Sequence, residues 1–181
     1  MTNETTRSIW ACLNQIFCYN QAMIEPLRTR EWLEKRLAYL WQAHFADLPD
    51  QASVIIRFGP RAKTRLGSIR RRFGRSVITI TGYFREPTIP EDVITETIAH
   101  ELCHYAHGFE SPLPKLYRYP HEGRIIEAEL AKRGLRATQS RSRRWLKKHW
   151  PTIRGPAQRA AHKQTMRRRL VTKSGNLWQF W

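Results

Sequence analysis

Cysteine is scarce in this chain of 181 residues, and acid is missing from its last 50. Only Cys12, Cys18 and Cys103 occur, an odd number with no CxxC pair. That argues against a disulfide framework and against a cysteine-ligated zinc ribbon. Long apolar runs are absent too: no stretch approaches the roughly 20 apolar residues that span a bilayer. The N-terminus carries Glu4 among polar residues, not the basic-then-apolar order of a secretion signal. These absences predict an intracellular, cytoplasmic protein, nucleoid-associated if bacterial, with no membrane partner.

The chain is 41% hydrophobic and 26% charged, a composition that supports one ordinary globular core. Lysine and arginine total 32 against 15 acids, for a formal charge of +17. The excess is unevenly placed. Residues 1–131 hold 17 basic and 15 acidic side chains, whereas residues 132–181 hold 15 basic ones and no acid. A near-neutral body with a basic end reads as an electrostatic foothold on a polyanion, in an intracellular protein most simply a nucleic acid.

Hydrophobic periodicity predicts helices over residues 6–24 and from the Thr29 N-cap to the Pro49–Asp50 break. Three strands follow: residues 54–58, residues 63–69 and the β-branched run Ser76 to Thr81, with Arg70, Arg71 and Arg72 around a turn. They are expected to form a small antiparallel sheet. A helix is predicted over residues 91–107, ended by Gly108. A loop with three prolines leads to a shorter helix over residues 122–133. A further helix is expected over residues 156–170. The predicted class is α+β, with residues 1–135 as one domain and residues 136–181 as a basic, aromatic, helical extension.

Chemistry concentrates at His100-Glu101-Leu102-Cys103-His104, an HExxH pattern inside a predicted helix. Residues four apart share a helix face, so both imidazoles can reach one ion. Glu101 projects beside them, where it can take a proton from a metal-bound water. A catalytic Zn2+ takes three protein ligands and keeps a fourth position for water. His121, after the loop, is the favoured third ligand. Glu122 or Glu127 would instead make a two-histidine, one-carboxylate site. His107, on the same rigid helix as the pair, reads as wall or as a residue supporting the ligands from behind. Glu127, Glu96 and Asp92 are candidates to accept the second N–H of a ligand histidine. Tyr105, Tyr117, Tyr119 and Arg124 are candidates to stabilise an oxyanion. Cys103 points away from the histidine face, as a small buried hydrophobe.

In these features the chain resembles the SprT-like metalloproteases, which include the Spartan proteases. The matching pieces are the strand Ser76-Val77-Ile78-Thr79-Ile80-Thr81, the HExxH helix and His121 beyond it. Arg65-Leu66-Gly67 resembles the arginine- and glycine-bearing strand common in that family. The resemblance covers roughly residues 30–135. It implies a zincin-like fold and a zinc-dependent endopeptidase with His100, His104 and His121 as ligands and Glu101 as base. It also implies substrates that are proteins on DNA, including DNA–protein crosslinks. Glycine follows one place later than usual, at Gly123, and Ile125 takes a place usually aromatic. The C-terminal cysteine ribbon of many members is absent.

Where that ribbon would lie, Arg141, Arg143, Arg144, Lys147 and Lys148 interleave with Trp145 and Trp150, and Arg167, Arg168 and Arg169 form a second cluster. Cations neutralise phosphates and indoles stack on unpaired bases, so single-stranded DNA is the expected partner. The turn from Arg70 to Arg75 could extend that surface. The competing expectation is a non-catalytic nucleic-acid-binding protein with a structural or inactive metal site.

Overall fold

The computed structural model describes residues 27–155. The helices expected over 6–24 and 156–170, and the cluster Arg167, Arg168 and Arg169, lie outside the described residues. The order of elements is α1 (Arg30–His44), β1 (Val54–Phe58), β2 (Gly67–Arg72), β3 (Arg75–Ile80), α2 (Glu91–Ala106), α3 (Ile125–Lys132) and α4 (Arg136–Arg154). The class is α+β, and no helix among the described residues is long and apolar enough to cross a membrane.

Helix α1 starts where the sequence demands. The Thr29 hydroxyl accepts the Trp32 N–H at 3.2 Å, which satisfies one of the free amides of the first turn. Leu33, Leu37, Leu40 and Trp41 form its buried stripe.

The sheet is mixed, not antiparallel. Its order is β1-β3-β2, with β1 parallel to β3 and β2 antiparallel to it. The physical reason lies in side-chain polarity. β3 buries Ser76, Ile78 and Ile80 and is β-branched on its other face, so it suits the centre. β2 reads Gly-Ser-Ile-Arg-Arg-Arg and can only be an edge. The connection from β1 therefore passes over the end of β3 and reaches the far side. Thr81 pins that crossing: its hydroxyl accepts the Ala62 N–H at 3.0 Å and donates to the Ala62 carbonyl at 2.8 Å. β2 also begins four residues later than the sequence suggests. Arg70, Arg71 and Arg72 lie within the strand, and the turn is the pair Phe73-Gly74.

Helix α2 runs through the middle of the molecule. Val93, Ile94, Ile98, Ala99, Leu102 and Tyr105 are all fully buried. It packs on the sheet at one side and on α3 and α4 at the other. Gly108 ends it in a left-handed conformation, φ +79°, and a Cβ there would lie 2.3 Å from the Pro114 carbonyl oxygen. Glycine is thus required by both backbone and space.

The described part of the basic extension is not separate. Leu135 and Trp150 belong to the same core cluster as Leu102 and Ile78. The indole N–H of Trp150 donates to the Lys63 carbonyl at 3.0 Å, and its ring meets Tyr83 and Phe84 edge-on. The division at residue 135 therefore does not mark a break in packing.

Candidate metal centre

Helix α2 presents His100 and His104 one turn apart on the face that looks away from its apolar packing. The Gly108 turn then folds the chain back along the helix, with the Phe109 N–H on the His104 carbonyl at 2.9 Å and the Leu116 N–H on the His107 carbonyl at 3.1 Å. This return brings His121 over the pair. The ring centroids are 4.9 Å apart for His100 and His104, 5.3 Å for His100 and His121, and 4.7 Å for His104 and His121. One ring nitrogen from each lies within 4.8 Å of the others, close enough to bind a single metal ion. His121 stands just before the helix it was expected to open. A single 3-10 turn, Glu122–Arg124, intervenes, and Gly123 and Arg124 are both left-handed.

Electrostatics keep the donors ready. Burial, then the neighbouring His121, lowers the His100 pKa to about 4. Burial, then the neighbouring imidazoles, lowers that of His104 to about 3. Both are neutral near pH 7, the state that offers a lone pair to a metal. His104 Nδ1 is buried with no hydrogen-bond partner among the described residues. The donor set and its spacing fit a three-coordinate cation with an open fourth position.

Glu101 is 6% exposed, and burial pushes its pKa up to about 7. The Ile69 N–H donates to it and, with Arg65, opposes that rise. Gly67 makes the approach possible: a Cβ there would lie 2.6 Å from Glu101 Oε1 and 2.7 Å from Thr97 Cγ2. The edge strand thus rests directly on the carboxylate. Around this group lies an open cleft of about 480 Å3, lined by Arg65, Gly67, Ser68, Ile69, Arg70, Phe109, Glu110 and Pro120 beside the three histidines and Glu101.

Several expected roles do not survive. Tyr105 is fully buried, edge-on to Trp41, with its hydroxyl on the Pro49 carbonyl at 3.4 Å. Tyr117 sits against His107, and neither Tyr119 nor Arg124 lines the cleft. The cation that does line it near Glu101 is Arg65, which the sequence showed only as part of a strand-like pattern. His107 is buried behind the pair, 2% exposed and 3.8 Å from Glu129, and does not line the cleft. Glu122 and Glu127 do not join the ligand cluster. Glu127 pairs with Arg143 at 2.9 Å and Asp92 with Arg141 at 2.7 and 3.0 Å. Glu96, largely buried, takes the Ser142 hydroxyl at 3.4 Å. None of the three hydrogen-bonds a ligand imidazole. Cys103 is a free, fully buried thiol whose pKa burial raises.

The basic residues of α4 divide into two sets. Arg141 and Arg143 are held by the carboxylates just named, and Trp150 is in the core, so these three brace the helix. Arg144, Lys147 and Lys148 have no carboxylate partner among the described residues and line a shallow groove with Trp145 and Arg141. Trp145 stacks on His149, with ring centroids 5.1 Å apart. Comparison with protein-family models, with curated proteins and with solved structures found no match.

Proposed function

We propose that the protein is a zinc-dependent endopeptidase of zincin-like architecture that acts on proteins associated with DNA, DNA–protein crosslinks among them. The observation that carries this reading is the joint placement of three imidazoles around one point and a buried carboxylate next to it in an open cleft. Three ligands rather than four are the arrangement of a metal that keeps room for water. The donors suit zinc, and the SprT-like resemblance of the HExxH helix, the strand Ser76 to Thr81 and His121 points the same way.

Zinc held there supplies Lewis acidity toward water and toward a scissile carbonyl. The protein's own groups do the rest. His100, His104 and His121 would hold the ion. Glu101, with a pKa near neutrality, takes a proton from the attacking water and returns it to the departing amine. Arg65 is the cation placed to counter negative charge that develops on the substrate oxygen. β2 is the edge of the sheet and lines the cleft with Gly67, Ser68, Ile69 and Arg70, its Ile69 and Arg71 amides donating to Glu101 and Glu110. Arg144, Lys147 and Lys148 supply the charge that attracts a phosphate backbone.

A second reading, a nucleic-acid-binding protein with an inactive metal site, is favoured by the unpaired cations of α4. One experiment separates the two. Glu101→Gln should retain one bound zinc per chain by elemental analysis and lose casein hydrolysis by at least a hundredfold, the scale on which general bases contribute. Hydrolysis at the parent rate in that variant would remove Glu101 as the base, and a parent protein that binds zinc but cleaves no casein would leave only the second reading.

A further inference from the structure

The hairpin that joins β2 to β3 contains a residue that is doubly unfavourable where it stands. Phe73 is 103% exposed, and its backbone is left-handed at φ +48°. With Gly74 at φ +76° it forms the two-residue turn in which both positions have positive φ. Asparagine or aspartate relieves that strain at the first position, and phenylalanine does not. A bare ring and a strained backbone at one tip indicate a residue kept for what it touches.

Its surroundings say what that is. Arg72 and Arg75 flank the turn and pair across it. Alternation along the strands places Arg57, Arg70 and Arg72 on the outer face of the sheet, opposite buried Ile56, Ile69 and Ile78. Several arginines of the fold are ion-paired: Arg61 with Glu86, Arg133 with Asp47 and Glu129, Arg141 with Asp92, Arg143 with Glu127 and, on this face, Arg70 with Glu110 at 3.7 Å. Arg57, Arg65, Arg72 and Arg75 have no carboxylate at ion-pair distance among the described residues. Arg57 instead donates to the Thr79 hydroxyl at 3.3 Å, which holds it across the sheet face. Arg57, Arg65 and Arg72 border a groove of about 610 Å3 that shares Arg65, Ser68, Arg70 and Glu110 with the metal cleft.

We propose that the outer face of the sheet, with Phe73 at its tip, binds single-stranded nucleic acid: a base stacks on the Phe73 ring and successive phosphates follow the unpaired arginines toward the metal cleft. Exposed aromatic surface next to a row of cations is the pairing that unstacked bases and a phosphodiester backbone require. A duplex offers phosphates but no free base face, so the tip discriminates between them. The site deepens the nucleic-acid part of the proposed function, which otherwise rests on α4, and it brings the strand beside the cleft where protein would be cut.

The test is fluorescence anisotropy of the full chain with labelled oligothymidylate and oligouridylate, against a duplex and polyglutamate as competitors. Phe73→Asn keeps the turn and removes the ring. It should weaken single-strand binding roughly tenfold, with a melting temperature equal to or above the parent's. Arg57→Gln and Arg72→Gln should each reduce the log–log salt slope by about 0.7. Parent-like affinity in Phe73→Asn would overturn the proposal, as would equal competition by polyglutamate. Loss of binding only in a variant with Arg144, Lys147 and Lys148 changed to Gln would also overturn it, while sparing the α4 account. If the parent itself binds no single strand, both nucleic-acid assignments fall and the metal chemistry stands untouched.

Discussion

Gly67 carries more of the candidate site than its lack of a side chain suggests. Its Cα faces the Glu101 carboxylate and Thr97 so closely that one added methyl has no place to go. Gly67→Ala should push either β2 or Glu101 aside. The expected result is a stability loss of about 1–3 kcal/mol in urea titration and a fall in hydrolysis larger than the unfolded fraction explains. A well-folded, fully active alanine variant would show that the strand does not rest on the base. The arginine–glycine pattern was visible in the sequence, but its reason was not. Close approach between two elements is a property of their packing, and no local propensity encodes it.

Among the elements, α2 was legible almost to the residue. Glu91 and Asp92 favour the positive end of the helix dipole, Gly108 terminates it, and apolar residues recur between them. The sheet was legible as strands but not as an order. An edge of three successive arginines and a β-branched centre decide that β3 lies between its neighbours, a choice that compares strands with one another. Helix α4 hid its role for a different reason. Its cations dominate its composition, while its attachment depends on buried Ser142 and Trp150 within it and on Leu135 at its N-cap. Trp150→Ala should cost about 3–5 kcal/mol, read as a drop in melting temperature with loss of near-ultraviolet dichroism. Unchanged melting would mean that α4 is an appendage after all.

For the molecule as a whole, the histidine cluster and Glu101 make stability depend on pH in two opposed ways. His100 and His104 have folded pKa values of about 4 and 3, below the ordinary 6.5. In metal-free protein the unfolded chain therefore gains protons first as pH falls below 6.5, and the fold is destabilised progressively toward pH 4. Glu101 works the other way. Its folded pKa of about 7 exceeds the ordinary 4.5, so the fold takes up that proton first and gains stability between pH 7 and 4.5. Metal-free Glu101→Gln should thus lose melting temperature more steeply than the parent between pH 7 and 5, as followed by circular dichroism. Parallel profiles for the two proteins would contradict the burial of that carboxylate.

Local rules written in the chain determined the α+β class, the helix that carries His100, Glu101 and His104, the capping at Thr29 and the asymmetry of charge, because each depends on neighbours a few residues away. The tertiary structure decided the rest. It brought His121 to the pair, set β2 against Glu101, buried Tyr105 and Trp150, tied Arg141 and Arg143 to carboxylates and left Phe73 bare. These outcomes turn on which distant surfaces meet, and the energy of such meetings is shared between partners that the sequence does not show to be adjacent.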